Sequence, residues 1–247
     1  MKNILSFSGG KDSTAMLLMA IDKNVSVDEI VVFDTGWEYP EMYEHWERIF
    51  KLCAERGIAK TILRPKMSFD YMMFDKPVKH RNGTVGSGYS WCGGCCRWGT
   101  TEKLKAVDSY CKGHITYVGL AADECNRISR NKNPLKRYPL AEWGVTEAEA
   151  LKYCYQSGYD FGGLYKYLDR VSCWCCGNKN LKELRNIYLH FPDIWDKLKM
   201  YQSLTDRPFR RNGETIFDLE ERFKKIKTPP ALLAQLSLIH ISEPTRQ

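Results

Sequence analysis

The segment Asn3-Ile4-Leu5-Ser6-Phe7-Ser8-Gly9-Gly10-Lys11-Asp12-Ser13-Thr14 decides how the rest of the chain is read. Ile4–Phe7 is a short apolar run that halts at Ser8-Gly9-Gly10. Beyond it Thr14, Ala15, Leu17, Leu18 and Ile21 recur at helical spacing. The order is therefore strand, glycine-rich turn, helix. Two glycines let the backbone turn tightly and bring its N–H groups against a ligand. The helix start adds unpaired donors and a partial positive charge. Ser8 and Ser13 add hydroxyls, and Lys11 adds a full charge. This set suits a polyphosphate. It is not a Walker loop, because the G-x-x-x-x-G-K-[ST] spacing is absent.

The same alternation continues outward. Glu29–Asp34 is a Val- and Ile-rich strand, and Pro40–Glu55 carries Trp46, Ile49, Phe50 and Cys53 at helical spacing. Lys60–Leu63 and His114–Leu120 are further strands. Lys79–Tyr89 is polar and glycine-rich and reads as a loop, while Thr100–Tyr110 reads as a helix. Thr146-x-x-Glu149 is a capping-box signature before a helix to about Gln156. Leu181–Leu189, Ile194–Tyr201 and Thr215–Lys227 read as helices. Strands alternating with helices predict an α/β fold: a parallel twisted sheet with helices on both faces, followed by a helical part. In such a sheet ligands bind at the carboxyl ends of the strands, which is where Asp34-Thr35-Gly36 falls.

The chain has 247 residues, 43% hydrophobic and 27% charged, which excludes a disordered or fibrous protein. No apolar run reaches the roughly 18 residues of a membrane helix. Met1–Leu5 is too short and too quickly polar for a signal peptide, so a cytoplasmic protein without a membrane partner is expected. Lys and Arg number 37 against 30 Asp and Glu, for a formal charge of +7. That mild excess is compatible with anionic partners and equally with an ordinary surface. Lys132, Lys136 and Arg137 read as a solvated basic stretch. Leu236–Arg246 resembles a translated sequencing adapter, so 236–247 is expected to be a non-native tail. Residues 1–176 are expected to form the α/β domain and 177–235 a helical extension.

Ten cysteines in a reducing compartment cannot mostly be disulfides. Six of them fall in two knots, Cys92/Cys95/Cys96 and Cys173/Cys175/Cys176, which points to metal. Cys173-x-x-Cys176 holds two thiolates on one turn, and a second pair must come from the distant knot. A zinc site would use Cys92, Cys95, Cys173 and Cys176. An iron–sulfur site would use Cys95, Cys96, Cys173 and Cys176.

Ser8-Gly9-Gly10-Lys11-Asp12-Ser13 resembles the PP-loop of the ATP pyrophosphatase superfamily. From Ile4 to about Phe223 the chain resembles the phosphoadenylyl-sulfate reductase family within it. The resemblance rests on that loop, on Asp34-Thr35-Gly36, and on Cys95-Cys96-Arg97. It continues in Gly119-x-x-x-Asp123-Glu124-x-x-Arg127, Tyr138-Pro139-Leu140-x-x-Trp143 and Cys173-x-x-Cys176. It implies an adenine-nucleotide-binding, Rossmann-like fold, with ATP or another adenine nucleotide, and Mg²⁺, as cofactors. Ser8, Gly9, Gly10, Lys11, Ser13, Asp34, Gly119, Asp123 and Glu124 would contact the nucleotide. Lys11, Asp12 and Arg127 would be the catalytic groups, with Asp12 placing Mg²⁺ and Arg127 lining the substrate pocket. It also implies one [4Fe–4S] cluster on Cys95, Cys96, Cys173 and Cys176, with zinc as the alternative.

One feature departs from the reductases. Their nucleophilic cysteine lies in a C-terminal Glu-Cys-Gly-x-His segment, and no cysteine follows Cys176 here. The reading that follows is an ATP-dependent adenylyl-transferring enzyme of sulfur chemistry that releases pyrophosphate, with a nucleic acid or a sulfur carrier as partner. The alternatives are a sulfonucleotide reductase whose tail is missing and a non-catalytic nucleotide- or nucleic-acid-binding module.

Overall fold

A computed structural model describes residues 1–91, 96–130 and 133–226. Among these, five strands form one parallel sheet in the order β3-β2-β1-β6-β7. They are β1 Asn3–Phe7, β2 Glu29–Phe33, β3 Ala59–Leu63, β6 Ile115–Val118 and β7 Lys136–Arg137. β2 is buried at every position and β1 at most, as expected of strands covered on both faces. Parallel neighbours need crossovers, and helices α1 Lys11–Asp22 and α2 Pro40–Glu55 supply the first two. The return from β3 to β6 passes through a hairpin, β4 Pro77–Lys79 with β5 Val85–Ser87, and then helix α3 Lys103–Tyr110.

The pairing register sorts the core. Leu5 pairs with Ile30 and Phe7 with Val32 on one face, where the Phe7 ring lies 6.3 Å from the His45 ring of α2. Ile4, Val31 and Phe33 face the other way and pack with Val107 and Cys111 at α3. The connections thus leave β1 and β6 in opposite directions, and the crevice between their carboxyl ends is the topological switch point. Short helices α4 Cys125–Ile128 and α5 Pro139–Glu142 and the longer α6 Glu147–Gln156 follow β6. The expected capping box starts α6: Thr146 Oγ1 accepts from Glu149 N, and Glu149 Oε2 accepts from Thr146 N.

Two sequence expectations are corrected. The stretch Lys79–Tyr89 is not an irregular loop, because it contains the return strand of the hairpin. Its strands are only three residues long, one opening on a proline and the other centred on Gly86, which hides their alternation, while Asn82-Gly83 at the tip supplies the turn, with Gly83 at φ +86°. Lys136 and Arg137 form the edge strand β7, pairing with Thr116 and Tyr117. Their charges suit an edge, and each is neutralised locally, Lys136 by Asp108 at 2.7 Å and Arg137 by Glu142 at 2.7 Å.

The chain divides into compact units after Asn186, and helix α7 Leu181–His190 runs across that boundary. The second unit holds α8 Pro192–Ser203 and α9 Ile216–Lys225. Trp195 lies 5.4 Å from Tyr188 and 5.8 Å from Phe223, and its Nε1 donates to Glu220 at 3.0 Å. The expected tail at 236–247 lies outside the described residues. Among the described residues no helix is long and apolar enough to cross a membrane.

His45 ties α2 to α1. It is 2% exposed, and its Nε2 lies 3.0 Å from Thr14 Oγ1. Burial, helped by the Arg48 charge, pushes its pKa down to about 4. The unfolded chain therefore binds a proton that the folded chain refuses between pH 6.5 and about 4. Stability should fall as pH drops through that window, by at most about 3 kcal/mol from this group. Urea titrations of wild type and His45→Gln across that range test this: the variant should lose most of the slope.

Candidate functional site

The loop after β1 is held open by contacts that leave no room for side chains. Gly9 sits at φ +81°, and a Cβ there would stand 2.0 Å from Trp46 Nε1. Gly119, which follows β6, would bring a Cβ within 2.9 Å of Ser13 N. The loop is thus pinched between α2 and the end of β6. Its shape is set by hydroxyls: Ser8 N donates to Ser13 Oγ at 3.2 Å, Ser13 Oγ donates to Gly10 O at 3.1 Å, and Gly10 N donates to Ser8 Oγ at 3.4 Å. Ser8 and Ser13 therefore brace the loop from within. Gly10 begins α1 and has no side chain with which to cap the first-turn N–H groups. Lys11 N donates to the Tyr165 hydroxyl at 2.9 Å.

Lys11 carries a buried charge. Its ammonium lies 3.3 Å from Asp12 Oδ2 and 3.1 Å from Glu147 Oε2 at the start of α6. Burial raises the pKa of Asp12, and the charges of Glu147 and Glu124 add to that while Lys11 opposes it. Asp12 Oδ1 is buried with no hydrogen-bond partner among the described residues. An orphaned carboxylate oxygen beside a candidate phosphate cradle fits a hard, oxygen-seeking cation such as Mg²⁺. Trp46 Nε1 is likewise buried without a partner, against Gly9.

The other expected nucleotide residues fall into two places. Asp123 and Glu124 come near the loop: Asp123 Oδ1 accepts from Glu147 N at 3.2 Å, and Glu124 Oε2 accepts from Ala121 N at 3.2 Å. Arg127 is paired with Glu124, and its side chain is 59% exposed. Asp34 stands at the end of β2, where its Oδ1 accepts from Gly36 N and the Tyr43 hydroxyl and its Oδ2 meets Arg64 Nε at 3.3 Å.

Cys173 and Cys176 share one tight turn, with Cys176 N donating to Cys173 O at 3.0 Å. The turn is stitched to the β2 end: Trp174 N donates to Trp37 O at 3.1 Å, and Thr35 Oγ1 lies 3.5 Å from Cys173 Sγ. Cys175 points into the core and is fully buried. Lys179 is 2% exposed, and its ammonium donates to Ser172 Oγ at 3.1 Å. Burial lowers its pKa, while Cys176, Glu183, Cys173 and Cys175 act to raise it. Two soft sulfur donors on one turn beside a buried cation fit half of a thiolate-bound centre. Cys96 is half-buried in the other knot, and Cys95, like Cys92, lies outside the described residues. Among the described residues no three His, Cys, Asp or Glu side chains are gathered as a metal site.

Sequence reasoning missed four of these groups. Trp46 reads only as part of a helical periodicity and Tyr165 carries no spacing signal, and only the contacts around Gly9 and Gly10 reveal that they shape the loop. Glu147 was overshadowed by the capping box that it follows, and Lys179 lacks any spacing signal beyond following the Cys-x-x-Cys turn.

A strand-ended glycine loop that opens a helix, with a buried lysine at the switch point of a parallel sheet, is the arrangement of a PP-loop α/β protein. The chain belongs to the phosphoadenosine phosphosulfate reductase domain family, whose profile matches residues 2–179. It is similar to two uncharacterized proteins of Methanocaldococcus jannaschii. MJ0066 is 26% identical over 204 residues, 78% of this chain and 40% of that protein. MJ0973 is 22% identical over 205 residues, 78% of this chain and 45% of that protein. The uncharacterized nin region protein ORF290 of Escherichia phage lambda is 31% identical over 176 residues, 60% of this chain and 57% of that protein. The chain thus spans 40% to 57% of the length of these curated relatives. Among solved structures, the U34-tRNA thiolase NcsA from Methanococcus maripaludis with its [4Fe-4S] cluster aligns over 93% of this chain and 74% of its own, at TM-score 0.44 and 16% identity.

Gly9→Ala combines a left-handed backbone with a collision against Trp46. It is expected to cost about 2–4 kcal/mol. Denaturant unfolding measures this, and a loss below 1 kcal/mol would mean that the loop yields easily.

Proposed function

We propose that this chain is an ATP-dependent enzyme that transfers an adenylyl group and releases pyrophosphate. The observation that carries the reading is the buried Lys11 ammonium, set beside an orphaned Asp12 oxygen at the start of α1. The cradle offers positive charge and N–H donors where a polyphosphate would lie, and little else that could do chemistry. Position and charge are what adenylyl transfer requires.

In the reaction a nucleophilic oxygen of the acceptor bonds to the α-phosphorus. The bond from that phosphorus to the bridging oxygen breaks, and its electron pair leaves on pyrophosphate. The loop N–H groups and Lys11 hold the departing phosphates, and Trp46 keeps the Gly9 backbone turned toward them. Asp12 would hold Mg²⁺, which supplies further charge neutralisation when bound. Glu147 releases Lys11 to the incoming phosphates. Asp34 orients the β2 turn through Gly36 and Tyr43.

Cys173 and Cys176 would supply half the ligands of a [4Fe–4S] cluster, with Cys95 and Cys96 supplying the rest as the family resemblance implies. Such a cluster, ligated by the protein at every iron, would supply one-electron redox chemistry and a local store of charge when bound. The buried Lys179 offsets part of the thiolate charge. The alternative zinc site would draw on Cys92 in place of Cys96.

Pyrophosphate release from ATP, followed with an enzyme-coupled assay, tests the reading. Lys11→Ala should lower the rate by about 10²-fold or more. Thiol-dependent sulfite release from a sulfonucleotide, without pyrophosphate, would replace it by the reductase reading. Metal analysis of anaerobically purified protein should find about four irons per chain, lost in Cys173→Ser. Stoichiometric zinc without iron would assign the cysteines to zinc.

A further inference from the structure

Away from the loop, a cleft of about 930 Å³ opens beside the carboxyl ends of β2 and β3. Its floor is apolar, with Phe33, Leu63 and Met72 among the lining residues, and Tyr89 and Tyr110 are its aromatic walls. Four cations also line it, Arg64, Lys66, Lys76 and Lys105, against one carboxylate, Glu102. Only Arg64 of the four has an ion pair among the described residues, with Asp34 at 3.3 Å. An aqueous cleft that gathers uncompensated positive charge over an apolar, aromatic interior is suited to a ligand that is both anionic and planar.

The hairpin starts and ends at this surface, between the lining residues Lys76 and Tyr89. β4 and β5 pair only with each other among the described residues, so they form a two-stranded arm. Lys79 and Arg81 are exposed on it, and neither has an ion pair among the described residues. The arm is firmly mounted on the helical turn Tyr71–Asp75. Gly88 N donates to Lys76 O at 2.7 Å and Tyr89 N donates to Met72 O at 2.8 Å. Gly88 lies so close that a Cβ would stand 1.8 Å from Met73 O. This mounting sets Lys76 beside Tyr89, 5.5 Å from its ring centre.

We infer that the cleft and the hairpin together bind a single-stranded nucleic acid. A mononucleotide would satisfy the cleft alone and leave Lys79 and Arg81 without a phosphate. A strand places one unstacked base against the tyrosines and runs its backbone along the arm. A duplex cannot offer that base without opening. The surface borders Asp34 through Arg64, so a bound strand lies along the same sheet edge as the phosphate loop. The proposal does not depend on the adenylyl-transfer reading, and the tests of the two are separable.

The test is fluorescence anisotropy with labelled 12-nucleotide single strands of RNA and of DNA, from 50 to 300 mM salt, with AMP and a duplex as competitors. Two exposed pairs are replaced, Lys66→Ala with Lys105→Ala, and Lys79→Ala with Arg81→Ala. Each double variant should bind the preferred strand at least tenfold more weakly at 50 mM salt. Each should lower the slope of log K against log salt by about 1.4, because each single-strand phosphate contact contributes about 0.7. Circular dichroism confirms folding, and calorimetry with a non-hydrolysable ATP analogue should give the same affinity for wild type and both variants. Absence of strand binding by a wild type that still binds the analogue overturns this proposal alone. So does duplex binding equal to that of the strand, AMP competing as well as the strand, or double variants that bind like wild type.

Discussion

A lysine ammonium withdrawn from water needs negative charge nearby, and this need organises the loop end of the sheet. Lys11 meets it with Asp12 from its own helix and Glu147 from α6. The second partner is the consequential one, because it comes from far along the chain. Glu147 reaches Lys11 only if α6 starts where Thr146 caps it and if Asp123 accepts its N–H. Strand β6, the turn after it and helix α6 are therefore all tied to the charge of one side chain on the loop. Lys11 is a candidate site residue and a structural one at once.

The cysteine turn depends on similar stitching. Trp174 and Cys173 are joined to Trp37 and Thr35, so the end of β2 and a segment far downstream form one piece. A thiolate-rich turn stores negative charge when deprotonated. The buried Lys179 beside it is the local offset, in the same way that Asp12 and Glu147 offset Lys11. Both candidate centres thus pair a buried lysine with acidic groups close by, on the same turn for Lys179 and on two helices for Lys11.

The fold was legible wherever one signal decided it. Strand, glycine turn and helix followed from Ile4 to Ile21, and Pro40–Glu55 was bounded correctly by its proline and its periodicity. The hairpin was not legible, because three-residue strands holding a proline and a glycine carry too little alternation to stand out from a loop. β7 was hidden because two charged residues at a sheet edge look the same as two at a solvated surface. Ser8, Gly9, Gly10, Lys11 and Ser13 could be located from local sequence alone. Trp46, Tyr165 and Glu147 could not, since their part in the loop comes from contacts between distant segments. Arg127 was recognisable as a candidate, while its engagement with Glu124 was not.

Tyr165 has a further consequence. Its hydroxyl already accepts the first N–H of α1, and Glu147 already holds the Lys11 ammonium. Two of the cradle's donors, Lys11 N and the Lys11 ammonium, are therefore already held by the protein's own groups, and under the proposed function a ligand would take them by exchange. Exchange sets a threshold. An anion with a single charge gains too little to displace two built-in partners, whereas a chain of phosphates replaces both and keeps charge to spare. Under the proposed function, that threshold would set a chain of phosphates apart from the monovalent anions that surround every protein.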